Sequence, residues 1–426
     1  MSNAVPHGWS VQLLGKLADV RSSNVDKKSD ASELPVRLCN YTDVYYRNRI
    51  TSDIDFMHAT AKQGEIDRFA LEKGDVIITK DSETPDDIAV PALVSESLPG
   101  VICGYHLTLL RPKPDRSNGE FLAHLFQLQS VQHYFYLLAN GTTRFGLTAE
   151  AINTAPLITP PLPEQQKIAT ILSSVDDVIE KTRAQIDKLK GLKTGMMQEL
   201  LTKGIGHTEF KDSPVGRIPK NWKVSQIGDI AQVNPRLLNK PEMTTLVSFL
   251  RMQDVSNDAK ILAKTTRKYA DVCKGFTSFS DGDVLFAKIT PCMENGKGAF
   301  VEGLMNGIGF GSTEFHVLRA TNNDVARWLF HLLSGKQFRE KAAQFMTGSA
   351  GQRRVPTDFL KMVEVAMPAC NSEMRSIVSA LDALDKRVTH KELHVESIQN
   401  IKKALMQDLL TGKVRVKLTD KESAAV

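Results

Sequence analysis

Cysteine is scarce in this chain and odd in number. Cys39, Cys103, Cys273, Cys292 and Cys370 stand far apart with no C-x-x-C pair, which leaves neither a disulfide framework nor a zinc site and reads as buried thiols. Long apolar runs are missing too, although 42% of the residues are apolar. No stretch approaches the roughly 18 residues that cross a bilayer, and the opening MSNAVPHGWS has no basic segment followed by an apolar one. A cytoplasmic chain with no membrane contact is expected. Charge of one sign is lacking: 54 Lys and Arg against 49 Asp and Glu leave +5, an excess that permits a nucleic-acid partner without requiring one.

Catalytic signatures are absent as well. There is no G-x-x-x-x-G-K-[ST] phosphate loop, no H-E-x-x-H, and no acidic-proline-proline-aromatic tetrad of an amino-methyltransferase; Asn234-Pro235-Arg236 approaches that tetrad without its second proline or its aromatic. GIGFG (307–311) has no helix after it and reads as a turn, and Pro85-Asp86 is not followed by a nuclease-type acid-x-Lys. The ten histidines do not cluster at metal spacing. No catalytic residue and no metal ligand is assigned.

What is present is a repeat. MMQELLTKG (196–204) returns as LMQDLLTGK (405–413). Laid over the chain 209 positions further on, Glu164 to Thr202 matches Glu373 to Thr411 without a gap and with ten identities, among them Glu164, Asp176, Lys193 and Leu201. PHGWSVQLLGKLADV (6–20) matches PKNWKVSQIGDIAQV (219–233), and LEKGDVIITK (71–80) lies over FSDGDVLFAK (279–288). The 426 residues are two copies of one unit of about 210 residues.

The matched C-terminal part of each unit has its own period. Ile168, Leu172, Val175, Ile179, Thr182, Ile186, Leu189, Lys193, Met196 and Leu200 follow one another at alternating steps of four and three, the apolar seam of a coiled coil. The second copy keeps phase through Ile377, Leu381, Leu384, Val388, Lys391, Val395, Ile398, Lys402, Leu405 and Leu409, with its polar interruptions where Thr182 and Lys193 fall in the first. Each stripe predicts a helix of about 40 residues, roughly 60 Å long. A single amphipathic stripe has no partner in water, and two of equal length in one chain pair with each other. Because a globular segment separates them, the second helix is expected to return antiparallel to the first.

The remaining segments read as mixed α/β (α+β), with short strands such as DVIIT (75–79) and DVLFA (283–287), helical patterns at 121–135 and 324–345, and glycine-polar loops at 139–148 and 347–357. The two loops occupy equivalent places in the repeat and differ in sequence, which suggests two sites reading different things.

The architecture of globular segment, LPEQQ-K-I helix, second globular segment and second helix, with helices ending in M-x-x-L-L-T, resembles the specificity (S) subunit of type I restriction-modification systems. ITPCMENGKGAF (289–300), TKDSETPDDIAVPAL (79–93) and NGTTRFGL (140–147) are similar to segments of that family's target-recognition domains. The resemblance covers essentially the whole chain. It implies target-recognition domains at 1–160 and 205–370, long spacer helices at 161–204 and 371–412, and a C-terminal tail at 413–426, with an internal pseudo-twofold repeat. It also implies a non-catalytic reader of bipartite double-stranded DNA that recruits two methylation subunits and, in the full complex, two restriction (nuclease-translocase) subunits. S-adenosylmethionine, ATP and Mg then belong to the partners and no cofactor to this chain. The alternatives are a duplicated coiled-coil scaffold without DNA specificity, and a duplicated enzyme whose site is not visible in the sequence.

A rod carrying two unlike readers suits a split target whose halves lie about one helical turn, roughly 34 Å, apart. Lysine and arginine would hold phosphates while a few loop side chains read base edges. The candidates in the first domain are Tyr41, Lys80, Thr142, Thr143 and Arg144; in the second they are Arg251, Lys288, Asn295, Lys297, Gln352, Arg353 and Arg354. Each has a rival reading as an ordinary solvated residue, and Lys80 and Lys288, each following G-D-V-x-x-x, as the end of an edge strand.

Overall fold

Two apolar stripes at coiled-coil spacing become two long helices, Leu162–Lys203 of 42 residues and Asn371–Leu409 of 39. The structure, a computed structural model, describes residues 5–237, 239–349 and 351–418, so positions 419–426 of the expected tail lie outside the described residues. The chain forms two compact units. One takes in the chain up to Arg183 together with the segment from Leu393 onward, and the other is Ala184–Glu392, so each contains one globular segment and a part of both helices.

In the first unit, Ile168 and Leu172 are fully buried in one apolar cluster with Met406, Leu409 and Leu410, and the same cluster takes in Trp9, Leu14, Phe121 and Phe126 of the globular segment. Glu164 pairs with Arg415, and twelve residues further on Asp176 pairs with Lys402 (2.7 Å). Partners therefore run backwards as the first helix runs forwards. The second unit repeats the arrangement: Gln185 accepts from Lys391, Lys193 pairs with Asp385 (2.5 Å), and Glu373 accepts from the backbone N–H of Ile205, just past the first helix. Within each unit the two helix segments are antiparallel.

The seam is the buried face. Ile179, Ile186, Ile377, Leu381, Leu384, Val388, Val395 and Leu409 are buried, and Val175, Leu189, Met196, Leu200, Ile398 and Leu405 are half-buried. Thr182 fits by bonding the Val178 carbonyl one turn back (2.7 Å). Lys193 and Lys402 fit because each meets an aspartate of the other helix, and the repeat relates the two pairs: Asp176 and Lys193 on the first helix are answered by Lys402 and Asp385 on the second. A charge in an apolar seam is tolerated only at the register that supplies its counter-ion, so these pairs hold the helices in one alignment.

A second repeated device joins globular segment to helix. In the first unit Trp9 Nε1–H donates to Glu164 (3.2 Å), whose oxygens each accept from Arg415 at 2.7 Å; in the second Trp222 Nε1–H donates to Glu373 (3.2 Å), with His207 Nε2 at 2.7 Å. Gly204 and Gly412 turn the chain beyond each helix at φ +65° and +70°.

The globular segments share a sheet plan. In the first unit Val76–Thr79 lies between Leu107–Pro112 and Pro91–Val94, all antiparallel, and Ala18–Ser22 and Arg49–Ile50 extend the sheet to five strands. In the second Val284–Ala287 lies between Phe315–Ala320 and Gly298–Phe300, with Ala231–Val233 at the edge. Both central strands are buried on both faces, in keeping with their near-continuous apolar runs, VIIT and VLFA. A second sheet accompanies each: three strands in the first unit, Leu34–Cys39 between Met57–Ala61 and Val101–Cys103, and four in the second, Leu246–Leu250 between Thr265–Lys268 and Ile308–Gly311 with Thr277–Ser280 beyond, so most of GIGFG is a strand and not the expected turn. The repeated G-D-V is structural. Its aspartate is buried in both copies and takes a two-pronged guanidinium, Asp75 from Arg111 (3.0 and 2.9 Å) and Asp283 from Arg319 (2.8 and 2.7 Å).

Asp176→Ala is expected to lower the unfolding free energy by about 3 kcal/mol, because Lys402 then stays buried without its counter-ion. Replacing both, Asp176→Leu with Lys402→Met, costs less than removing either charge alone. Chemical denaturation of the four chains measures the difference.

Candidate nucleic-acid interface

In the first unit a two-residue strand, Asp81–Ser82, follows Lys80 and pairs with Phe145–Gly146 at the end of the 139–148 loop. This pairing draws three of the five candidates together. Tyr41 Oη donates to Ser82 Oγ (3.2 Å) and its ring stacks on Tyr45 at 5.4 Å. Arg144 reaches Asp81 (3.2 Å), which also holds His106 Nδ1 at 2.7 Å. Lys80 donates to the Ser23 carbonyl (3.2 Å), and its ammonium lies 4.6 Å over the Tyr105 ring. Burial lowers the pKa of Lys80 and raises that of Tyr41. Thr142 and Thr143 are exposed in the same loop. The surface is thus rich in tyrosine and hydroxyl groups, with Tyr46 and Tyr105 exposed beside the candidates.

In the second unit the 347–357 loop is strapped to the segment after Lys288. Ile289 and Thr347 each form a β-bridge with Arg354, and Thr290 and Arg353 exchange hydrogen bonds of 3.0 and 3.1 Å. This gathers Lys288, Gln352, Arg353 and Arg354. Arg354 is tied down: Nε and one terminal nitrogen grip Glu314, and the other donates to the Gln352 carbonyl. That pair raises the arginine pKa and lowers that of Glu314. Arg353 spends one N–H on Glu294 (3.1 Å).

The other candidates of this unit sit apart from the strap or serve it. Lys297 donates to the Met252 and Val255 carbonyls (3.0 and 2.7 Å), so its ammonium clamps a turn. Arg251 forks onto Asp254 in that turn, and Asn295 is exposed between Glu294 and the clamp. Lys288 instead faces a cleft of about 490 Å³ with Arg236, Lys240, Tyr269, Phe276 and Phe310. Sequence reasoning missed Arg236 and Lys240, having set the Asn234-Pro235-Arg236 segment aside as a failed tetrad. Its place just after the repeated segment ending in Val20 and Val233 is the signal that pointed there. Reasoning from the chain also missed His106, Glu294 and Glu314, because an acid or histidine that aims an arginine carries no local pattern.

Asn234 supports this site from below. Its amide donates to His316 Nδ1 (3.1 Å), and His316 Nε2–H donates to the Val355 carbonyl (2.8 Å), tying the loop to the sheet. Burial holds His316 below its usual range, favouring the neutral form whose Nδ1 can accept from Asn234. Among the described residues no group of three or more His, Cys, Asp or Glu is placed to hold a metal ion, and no helix is long and apolar enough to cross a membrane.

The model of the type I restriction modification DNA specificity domain matches residues 6–190 and again 219–400. The chain belongs to this family. It is similar to the type I restriction enzyme EcoAI specificity subunit of Escherichia coli, at 33% identity over 198 residues that cover 43% of this chain and 33% of that protein. It is also similar to the putative type I restriction enzyme MjaX specificity subunit of Methanocaldococcus jannaschii, at 23% identity over 425 residues covering 97% of this chain and 95% of that protein. Its fold is that of the type I S subunit solved from M. genitalium: TM-score 0.56 at 13% identity, covering 98% of this chain and 99% of that one. The two matched stretches are the two halves of the internal repeat, so each strapped loop belongs to its own DNA specificity domain.

Because burial penalises charged His316, openings of the loop that expose this side chain to water become easier as pH falls below its ordinary pKa of about 6.5. Backbone hydrogen exchange at 347–357, corrected for its intrinsic pH dependence, is expected to quicken between about pH 6.5 and 5. In His316→Gln that pH dependence disappears.

Proposed function

We propose that the chain reads a bipartite duplex target, one half with each specificity domain, and carries no catalysis of its own. The single observation behind this reading is the contrast between a scaffold repeated down to its buried ion pairs, Asp75–Arg111 and Asp283–Arg319, and the unlike residues strapped onto it, Thr142-Thr143-Arg144 in one domain and Gln352-Arg353-Arg354 in the other. Selection that kept the frame twice and let the loops differ fits two readers of two different sequences. Exposed lysines and arginines, Lys240 and Arg236 among them, hold phosphates in register, while side chains of the strapped loops and of the Tyr41 helix meet base edges.

In this reading the chain brings its target to two methylation subunits and, in the full complex, to two nuclease-translocase subunits. S-adenosylmethionine, ATP and Mg act in those partners. An unread spacer separates the half-sites.

Two measurements test the reading. Affinity of the chain with its methylation partner for target duplex should fall linearly on a log–log plot as salt rises, and Arg144→Ala should weaken it by about tenfold. Replacing residues 1–155 with the same part of a relative should change one half of the methylated sequence and leave the other intact; a change in both halves contradicts independent readers.

A further inference from the structure

We propose that Arg353 and Glu294 together read one guanine·cytosine pair in the half-site met by the Ala184–Glu392 unit, an inference that rests on this unit entering the major groove. The two residues come from separate loops fixed to each other. Thr290 N–H donates to the Arg353 carbonyl (3.0 Å), Arg353 N–H donates to Thr290 Oγ1 (3.1 Å), and Arg354 bridges both Ile289 and Thr347. The backbone at Arg353 is therefore set before any ligand arrives, which lowers the ordering cost of binding.

Among the candidate cations of this unit, leaving aside Lys288 in its cleft, Arg353 stands apart. Arg354 has its guanidinium shared between Glu314 and the Gln352 carbonyl, Arg251 forks onto Asp254, and Lys297 is spent on two carbonyls. Arg353 gives up one N–H, to Glu294, and both side chains stay well exposed, at 43% and 38%. A guanidinium has five N–H donors, so four are left, beside a carboxylate with lone pairs to spare. The site offers donors and an acceptor side by side.

That order matches one base pair. In the major groove a G·C pair shows two acceptors, guanine N7 and O6, and then a donor, the cytosine amino group. Arg353 supplies donors to the first two and Glu294 accepts from the third. An A·T pair puts its amino donor before the guanidinium and its O4 acceptor before the carboxylate, so both partners are mismatched. Glu294 thus orients Arg353 and penalises the wrong pair.

The test uses the full chain with its methylation subunits. Modified-base sequencing gives the target, and exchange of residues 205–370 with a relative shows which half this unit reads. Competition binding with duplexes substituted at each position should then show one guanine where Arg353→Ala loses roughly a tenfold to hundredfold preference, the other half-site being unaffected. At that position 7-deazaguanine, which lacks the N7 acceptor, weakens the unmodified chain and not Arg353→Ala, while inosine, whose major-groove edge is that of guanine, changes neither. Arg353→Ala keeping every base preference, or losing one at an A·T pair, overturns the proposal. If that variant fails to fold, the 7-deazaguanine scan of the unmodified chain decides, and a half-site without a sensitive guanine overturns it equally. An unmodified chain that prefers no base in this half sinks instead the reading of the unit as a DNA reader.

Discussion

The apolar seam along Leu162–Lys203 and Asn371–Leu409 is the interaction on which the remainder depends. A helix of this length with one greasy stripe has no stable existence in water, and most of its stability must come from packing. Each unit supplies that packing with an antiparallel segment of the other helix and with the globular core, whose cluster continues through Ile168 and Leu172 in one case and Ile377 and Leu381 in the other. The tryptophan–glutamate joints then fasten the globular segments to the helix starts. Glu164 and Glu373 are well suited to this: each is a nearly buried carboxylate whose oxygens are filled by an indole N–H and a basic side chain.

On this frame the two domains have diverged where divergence is inexpensive. Buried ion pairs, positive-φ turns and central strands recur in both copies, because changing one member of each would strand a charge or open a cavity. The surface loops obey no such constraint. One has become tyrosine- and threonine-rich around an aspartate–histidine pair, the other arginine- and glutamate-rich around a strap to the neighbouring loop.

The long helices and their partnership were legible in the chain because burial imposes a period that 40 residues display many times over. Individual cross-pairs such as Asp176 with Lys402 were not, since they depend on the alignment of two segments that local pattern leaves open. For the candidate site, Lys80, Arg144 and Tyr41 could be chosen one by one from loop position, yet what joins them is the two-residue strand at Asp81–Ser82, too short to announce itself. Lys297 illustrates the converse. Its charge and its loop suggested an outward role, whereas nearby carbonyls of the 252–255 turn needed donors and took it. The acids that aim arginines, Glu294 and Glu314, were invisible for the same reason: their meaning is relational.

The lysine–aspartate pairs of the seam have a bearing on ancestry. Since the donor on one helix and the acceptor on the other are images of each other under the repeat, the pairing rule is self-complementary. A forebear with a single copy would have met it by associating with its own twin, and gene fusion would have inherited an interface already solved.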